Sequence, residues 1–206
     1  MIVPEKEHYP EWTRLSFSQC SNCPLKEAAH PRCPIAANLV DLIALFRDSL
    51  SYQTVDVEIA SEARKYVKRT DLQSAVSSLI GLLMVTSGCP VMDKLRPMAW
   101  THLPFATAQE TLYRAIGMYL MAQYFVARDG GSPDWELGGL EKVYEEVRVV
   151  NKGFSGRLAA ACKQDAGLNA LVHLDCFADY ATFFLAEHGL EALRGMFVQY
   201  LKKAKE

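Results

Sequence analysis

Four cysteines lie in polar sequence punctuated by proline and glycine. They occur as Gln19-Cys20-Ser21-Asn22-Cys23-Pro24, then Cys33-Pro34, then Ser87-Gly88-Cys89-Pro90. A C-x2-C turn places two thiolates where they can grip one ion, and four sulfurs complete a tetrahedral shell. We therefore expect Cys20, Cys23, Cys33 and Cys89 to be metal ligands. Zinc is the first choice and an iron–sulfur cluster the alternative, because Cys-Pro dipeptides occur in both kinds of site. Cys33 immediately precedes a proline-started helix, whose positive dipole end stabilises a thiolate. Lys26, Arg32, Lys94 and Arg96 are close in sequence and would offset the net charge of about -2 on a four-thiolate zinc. The loop between Cys33 and Cys89 has 55 intervening residues. Closing it costs about a few kcal/mol, against roughly 10–16 kcal/mol from a structural zinc.

Three other readings compete with that shell. His30 offers a purely local Cys3His set with Cys20, Cys23 and Cys33, although it directly precedes Pro31. The four thiols could be ordinary free cysteines, with Gly88-Cys89-Pro90 only a helix terminator. A redox C-x2-C pair would be expected at a helix start after a strand, and no such context surrounds Cys20 and Cys23. Cys162 and Cys176 lie within apolar helical patterns and read as small buried thiols.

Beyond the cysteines, the segment Arg96-Pro97-Met98-Ala99-Trp100-Thr101-His102-Leu103-Pro104-Phe105 mixes polar and aromatic groups. Arg96 and His102 are the candidate cofactor-binding residues here, His102 as a general base or spare ligand. A histidine hydrogen-bonded between loop and core, and an arginine balancing local charge, are the plainer readings. Glu110 stands three after Thr107 and is explained as a helix cap. Arg114 has ion-pair spacing to it. Glu27 and His30 have the spacing of half a di-iron motif, but no second copy exists. Arg64, Lys65, Lys68 and Arg69 read as a solvated basic face at helical spacing. His173 and Asp175, beside Cys176, read as a polar network in the core. Nucleophile elbows, paired metalloprotease histidines and a P-loop are absent from the sequence.

The elements that must position these residues are mostly helical. Pro34 opens a helix whose face is Ile35, Leu39, Leu42, Ile43 and Phe46. Val55, Val57 and Ile59 alternate with Asp56 and Glu58 and predict a short strand. Leu15 and Phe17 alternate similarly, so the two segments are expected to pair as a ribbon. Thr70 with Gln73 and Thr107 with Glu110 have capping-box spacing. The first precedes a helix stopped by Gly88 and Pro90, and the second a long helix to about Arg128. Tyr113 to Phe125 is expected to be core. Ser132-Pro133 is expected to start the helix carrying Leu137, Leu140, Tyr144 and Val147. Another spans about 166–187 and stops at Gly189. Leu190, Leu193, Phe197 and Leu201 form a last stripe. The expected fold is mainly α: a multi-helix array with a small N-terminal β element and a cysteine-rich irregular segment. We expect one domain over 1–206, with segment 1–33 packed on a helical body, 34–206.

Composition narrows the classes. The chain has 206 residues, 50% hydrophobic and 22% charged, which excludes a disordered or collagen-like protein. Its net charge of -2 makes nucleic acid an unlikely partner. The first residues show neither a basic n-region nor an apolar h-region, and no apolar run reaches membrane-span length. A cytoplasmic protein is expected, and six cysteines then argue against a disulfide framework.

The run WTRLSFSQCSNCPL, then HPRCPIAANL, SGCP, RPMAWTHLPFA and SPDWEL, resembles a bacterial family of uncharacterised conserved proteins. The resemblance spans Trp12 to about Phe184. It implies a bacterial, cytoplasmic protein, adds weight to Cys89 as a ligand, and carries no activity. The function expected is an interaction or regulatory module with a structural zinc site and an unidentified protein partner. The alternative is a metal-dependent or iron–sulfur enzyme with its site near Arg96 and His102.

Overall fold

A computed structural model of the chain describes residues 9–203. The first eight residues of the segment expected to be irregular lie outside the described residues. Helix α1, Pro34–Phe46, starts where proline was expected to start it, with Cys33 as its extended N-cap. Strand β1, Thr54–Ala60, alternates half-buried Val55, Val57 and Ile59 with exposed neighbours. Its partner is β2, Lys65–Asp71, in an antiparallel hairpin that sets Val57 opposite Lys68. The expected ribbon with the Leu15 segment does not form. A four-residue turn closes the hairpin with less entropy lost than a distant pairing. The Leu15 N–H instead donates to the Pro31 carbonyl, beside a lone bridge between Arg14 and Arg32. The basic residues expected at helical spacing also lie here. Lys65, Lys68 and Arg69 are on β2, where a period of two puts Lys68 on the opposite face from the other two.

Helix α2, Leu72–Val85, is capped by Asp71, whose carboxylate accepts the Ser74 N–H at 2.9 Å. Thr70, the expected cap, is still paired in the strand opposite Val55. A 3-10 turn, Met92–Ala99, follows. Helix α3, Ala108–Arg128, has the full capping box of Thr107 and Glu110. Because Glu110 is bonded to Thr107, the expected ion pair with Arg114 is not made, and Arg114 donates to the Met98 carbonyl. Helix α4, Gly138–Ala161, begins later than Ser132-Pro133 predicted. The Asp134 carboxylate accepts from Glu136 N–H, Gly139 N–H and the Tyr119 hydroxyl, holding the preceding residues in a turn. Leu137 sits in the left-handed region at φ 66°.

Helix α5, Ala166–Glu187, runs antiparallel to α4, with Asn151 on Asp175 and Tyr144 on Phe177. Helix α2 packs on α5, and α1 lies against α2 and α4. Leu39, Ile80, Met84, Phe154 and Ala181 fill the core between them. A 3-10 turn, Glu191–Phe197, and a short helix α6, Val198–Lys203, finish the described chain. The tighter 3-10 winding breaks the expected stripe, leaving Leu190, Phe197 and Leu201 exposed. Helix α3 departs most from expectation. It buries only Leu112, Ala115 and Ile116, so Tyr113, Met121, Tyr124, Phe125 and Val126 are exposed. The fold is mainly α with one small antiparallel sheet. Among the described residues, no helix is long and apolar enough to cross a membrane.

Candidate metal centre

The cysteine-bearing segment is fixed to the helical body largely by main-chain contacts. Trp12, Thr13 and Leu15 are buried. Cys33 N–H donates to the Thr13 carbonyl at 2.8 Å, which ties the start of α1 to this segment. From α4, the guanidinium of Arg157 grips the same stretch. Its Nη1 donates to the carbonyls of Trp12 and Arg14 at 2.7 and 2.6 Å, and its Nη2 to that of Leu15 at 2.9 Å. Arg157 is 1% exposed. None of the described ion pairs includes it, and its Nε has no hydrogen-bond partner.

The next stretch lies on α4 itself. Ser18, at φ 45°, turns the chain and donates to the Gly153 carbonyl at 3.0 Å. The Cys20 thiol points at the Val150 carbonyl, 3.7 Å away, and Asn22 donates to that of Glu146 at 3.0 Å. This approach requires glycine. A Cβ on Gly153 would stand 2.7 Å from the Cys20 sulfur and 3.0 Å from its Cα. A Cβ on Gly156 would stand 2.5 Å from the Ser18 hydroxyl.

Cys89 enters from the opposite side of the sequence. Gly88, at φ 86°, makes the turn that only glycine adopts readily. Ser87 Oγ accepts the Cys89 N–H at 3.2 Å. The amides of Val91 and Met92 then hydrogen-bond to the Cys89 sulfur. Such bonds favour the thiolate.

The four sulfurs share one electrostatic neighbourhood. Burial, followed by the neighbouring thiols of Cys33, Cys23 and Cys89, pushes the Cys20 thiol up to about 11, while Arg157 opposes the rise. Burial also raises the Cys89 thiol, against the two amide bonds and with Cys33 and Cys23 adding to it. The thiols are neighbours rather than a finished shell. Among the described residues, no group of three or more His, Cys, Asp or Glu side chains has the geometry to hold a metal ion.

The cations expected beside this cluster are mostly occupied elsewhere. Lys94 pairs with Glu146 at 2.6 Å and Arg96 with Asp93 at 3.1 Å. Arg32 donates to Thr13 Oγ1 and covers the Tyr9 ring. Arg157, which no sequence motif marks, supplies the buried charge instead. His30 is exposed in the turn before Pro31.

The second set of candidates separates. Arg96 is an exposed partner of Asp93. His102 is half-buried, and burial followed by Arg114 lowers its basicity, against a bond to the Ser78 backbone. It lines a cavity of ≈ 700 Å³ that Arg96 does not border. His173 and Cys176, expected in the core, are exposed on the cavity face of α5. Cys162 is half-buried at the end of α4.

No curated protein and no solved structure matches the chain. A match over residues 1–198 does place it: the chain belongs to the family described as Domain of unknown function (DUF6901).

Proposed function

We propose that Cys20, Cys23, Cys33 and Cys89 bind one zinc ion in a closed, four-thiolate site. Its role would be to fasten the N-terminal segment to the helical body of a cytoplasmic interaction or regulatory protein. One observation carries the reading: the thiols of Cys33, Cys23 and Cys89 all act on that of Cys20, and so does Arg157, a buried cation with no carboxylate in the described ion pairs. A lone buried guanidinium is costly. A zinc tetrathiolate of formal charge about -2 would give it a counter-charge. The side chains would have to move to turn neighbouring thiols into a shell, and ligation supplies roughly 10–16 kcal/mol to drive that movement. A closed shell leaves no open position for substrate, which suits a structural role. The exposed apolar residues Met121, Tyr124 and Phe125 of α3 support a protein partner.

Anaerobic purification without chelator, followed by metal analysis and a visible spectrum, tests the proposal. One zinc per chain and no visible absorption is expected. Iron with visible absorption would favour the iron–sulfur alternative, and a chain without metal would refute both. Cys89→Ser is expected to lower metal content more than His30→Ala. The reverse ranking would replace Cys89 with His30.

A further inference from the structure

The ≈ 700 Å³ cavity is bordered by none of Cys20, Cys23, Cys33 and Cys89 and lies between α2, the Met92–Ala99 turn, α3, α4 and α5. It falls within the range of roughly 300–1,000 Å³ typical of small-molecule sites. Its walls are dominated by hydrocarbon and thioether groups, among them Leu82, Met84, Met92, Met98, Leu174 and Phe177. Methionine is unbranched and adaptable, so such a wall accommodates a flexible apolar body without a fixed shape.

The polar groups of this cavity are not spent within the protein. Tyr144 and Asn151 are each 2% exposed and line it. Asn151 donates to Asp175, but its Oδ1 is buried without a partner. The Tyr144 hydroxyl has no hydrogen bond among the described residues. Arg114 uses one nitrogen on the Met98 carbonyl at 2.9 Å, while its buried Nε has no partner. Buried polar groups are ordinarily satisfied, so the unpartnered Asn151 Oδ1 and Arg114 Nε, on two residues that border one cavity, point to a ligand.

The charge lining it is one-sided. Lys68, Arg114, His102 and His173 border the cavity, and among the described residues no Asp or Glu does. Glu110, the carboxylate that acts on Arg114, is held by the backbone and hydroxyl of Thr107. Arg114 is near enough to both Tyr144 and His102 to influence their charge states.

We infer that this cavity binds a medium-chain carboxylic acid. Its carboxylate would meet Arg114 and the Tyr144 hydroxyl, and its hydrocarbon chain would lie along the methionine and leucine walls. The inference is independent of the cysteine centre, and neither experiment decides the other.

The test uses the full chain as purified, titrated calorimetrically with dodecanoate and, separately, dodecan-1-ol. Saturable one-site binding of dodecanoate is expected, with the alcohol at least about tenfold weaker, since a charge-assisted bond is lost. Arg114→Gln keeps a donor for the Met98 carbonyl and removes the charge. It should weaken dodecanoate about tenfold or more and leave the alcohol nearly unchanged. Ser78→Trp should fill the cavity and abolish both. No saturable binding overturns the proposal. So does equal affinity for acid and alcohol, or a folded Arg114→Gln or Ser78→Trp protein that binds dodecanoate as the parent does. If Ser78→Trp does not fold, the acid-to-alcohol ratio in Arg114→Gln decides alone.

Discussion

Two glycine-to-alanine substitutions on helices, Gly153 on α4 and Gly117 on α3, should differ in stability, with only the second a clear gain. Both sit in helix interiors, where alanine is favoured over glycine by about 0.8–1 kcal/mol. That gain is common to the two. The surroundings differ. A Cβ at Gly117 meets nothing within 4 Å, so Gly117→Ala should stabilise the protein by about the full propensity difference. A Cβ at Gly153 meets the Cys20 sulfur at 2.7 Å, its Cα at 3.0 Å and its Cβ at 3.2 Å. The Cα belongs to the main chain, so no rotamer change relieves the contact, and the Cys20 turn must lift from α4. Overpacking of this kind costs about 1–3 kcal/mol. The net effect of Gly153→Ala is then between neutral and a loss of about 2 kcal/mol. The difference between the two variants isolates the contact, at about 1–3 kcal/mol.

Urea denaturation of both variants and the parent measures that difference directly, and thermal melting should separate the two by about 2–4 °C per kcal/mol. Gly156→Ala belongs in the same series. Its Cβ would meet the Ser18 hydroxyl, the end of a rotatable side chain, so it should fall between the other two. If Gly153→Ala stabilises the chain as much as Gly117→Ala, the Cys20 turn does not rest on α4, and the placement of the cysteine segment is wrong.

Arg157→Met strands the Trp12 and Leu15 carbonyls, each unsatisfied buried group costing about 1–3 kcal/mol, and takes one of two donors from the Arg14 carbonyl, which keeps the Phe17 N–H. A loss of about 3–5 kcal/mol is expected, together with faster tryptic cleavage at Arg14 and Lys26; unchanged protection would show that the guanidinium does not hold the segment. Asp165 accepts from the Ser51 N–H and hydroxyl, both at 2.8 Å, and these bonds hold its carboxyl below the usual range. Its folded value is depressed, so its contribution is present above the unfolded value of about 3.9 and is lost as pH falls through the folded one. Urea midpoints at neutral and acid pH should therefore fall less in Asp165→Asn than in the parent; equal falls would mean that Asp165 is not part of the acid response.

Local chemistry was legible wherever one short segment decided the outcome. Pro34 after an extended Cys33, and Thr107 with Glu110, give the same helix starts in sequence and structure. The errors arise where a distant group competes. Thr70 has the spacing of a cap, yet the hairpin keeps it in β2 and the next residue, Asp71, caps α2. Ser132-Pro133 has a starting signature, yet the Asp134 carboxylate captures amides up to Gly139 and delays α4. The stripe on α3 reads as core by periodicity alone. Whether a stripe is covered depends on its neighbours, and beyond Ile116 these cover Met118, Tyr119 and Leu120 only in part and leave Met121, Tyr124 and Phe125 exposed.

The candidate site shows the same division more sharply. Cysteine spacing announced four sulfurs, because a ligand set needs particular residue types and those are rare. What carries the segment to α4 has no such signature. Gly153 and Gly156 look like poor helix residues, and Arg157 looks like an ordinary surface cation three places from Phe154. Only a fold that lays residues 12–22 across α4 turns the glycines into the points of closest approach. The same placement makes Arg157 the donor for three main-chain carbonyls. A glycine followed three residues later by glycine and then arginine, inside an otherwise strong helix, is the available signal. It marks a helix face that receives a main chain rather than side chains. Residue type and spacing record the chemistry that side chains can perform. The residues that position this chemistry are selected for small size and for donors, properties that spacing among reactive residues does not record.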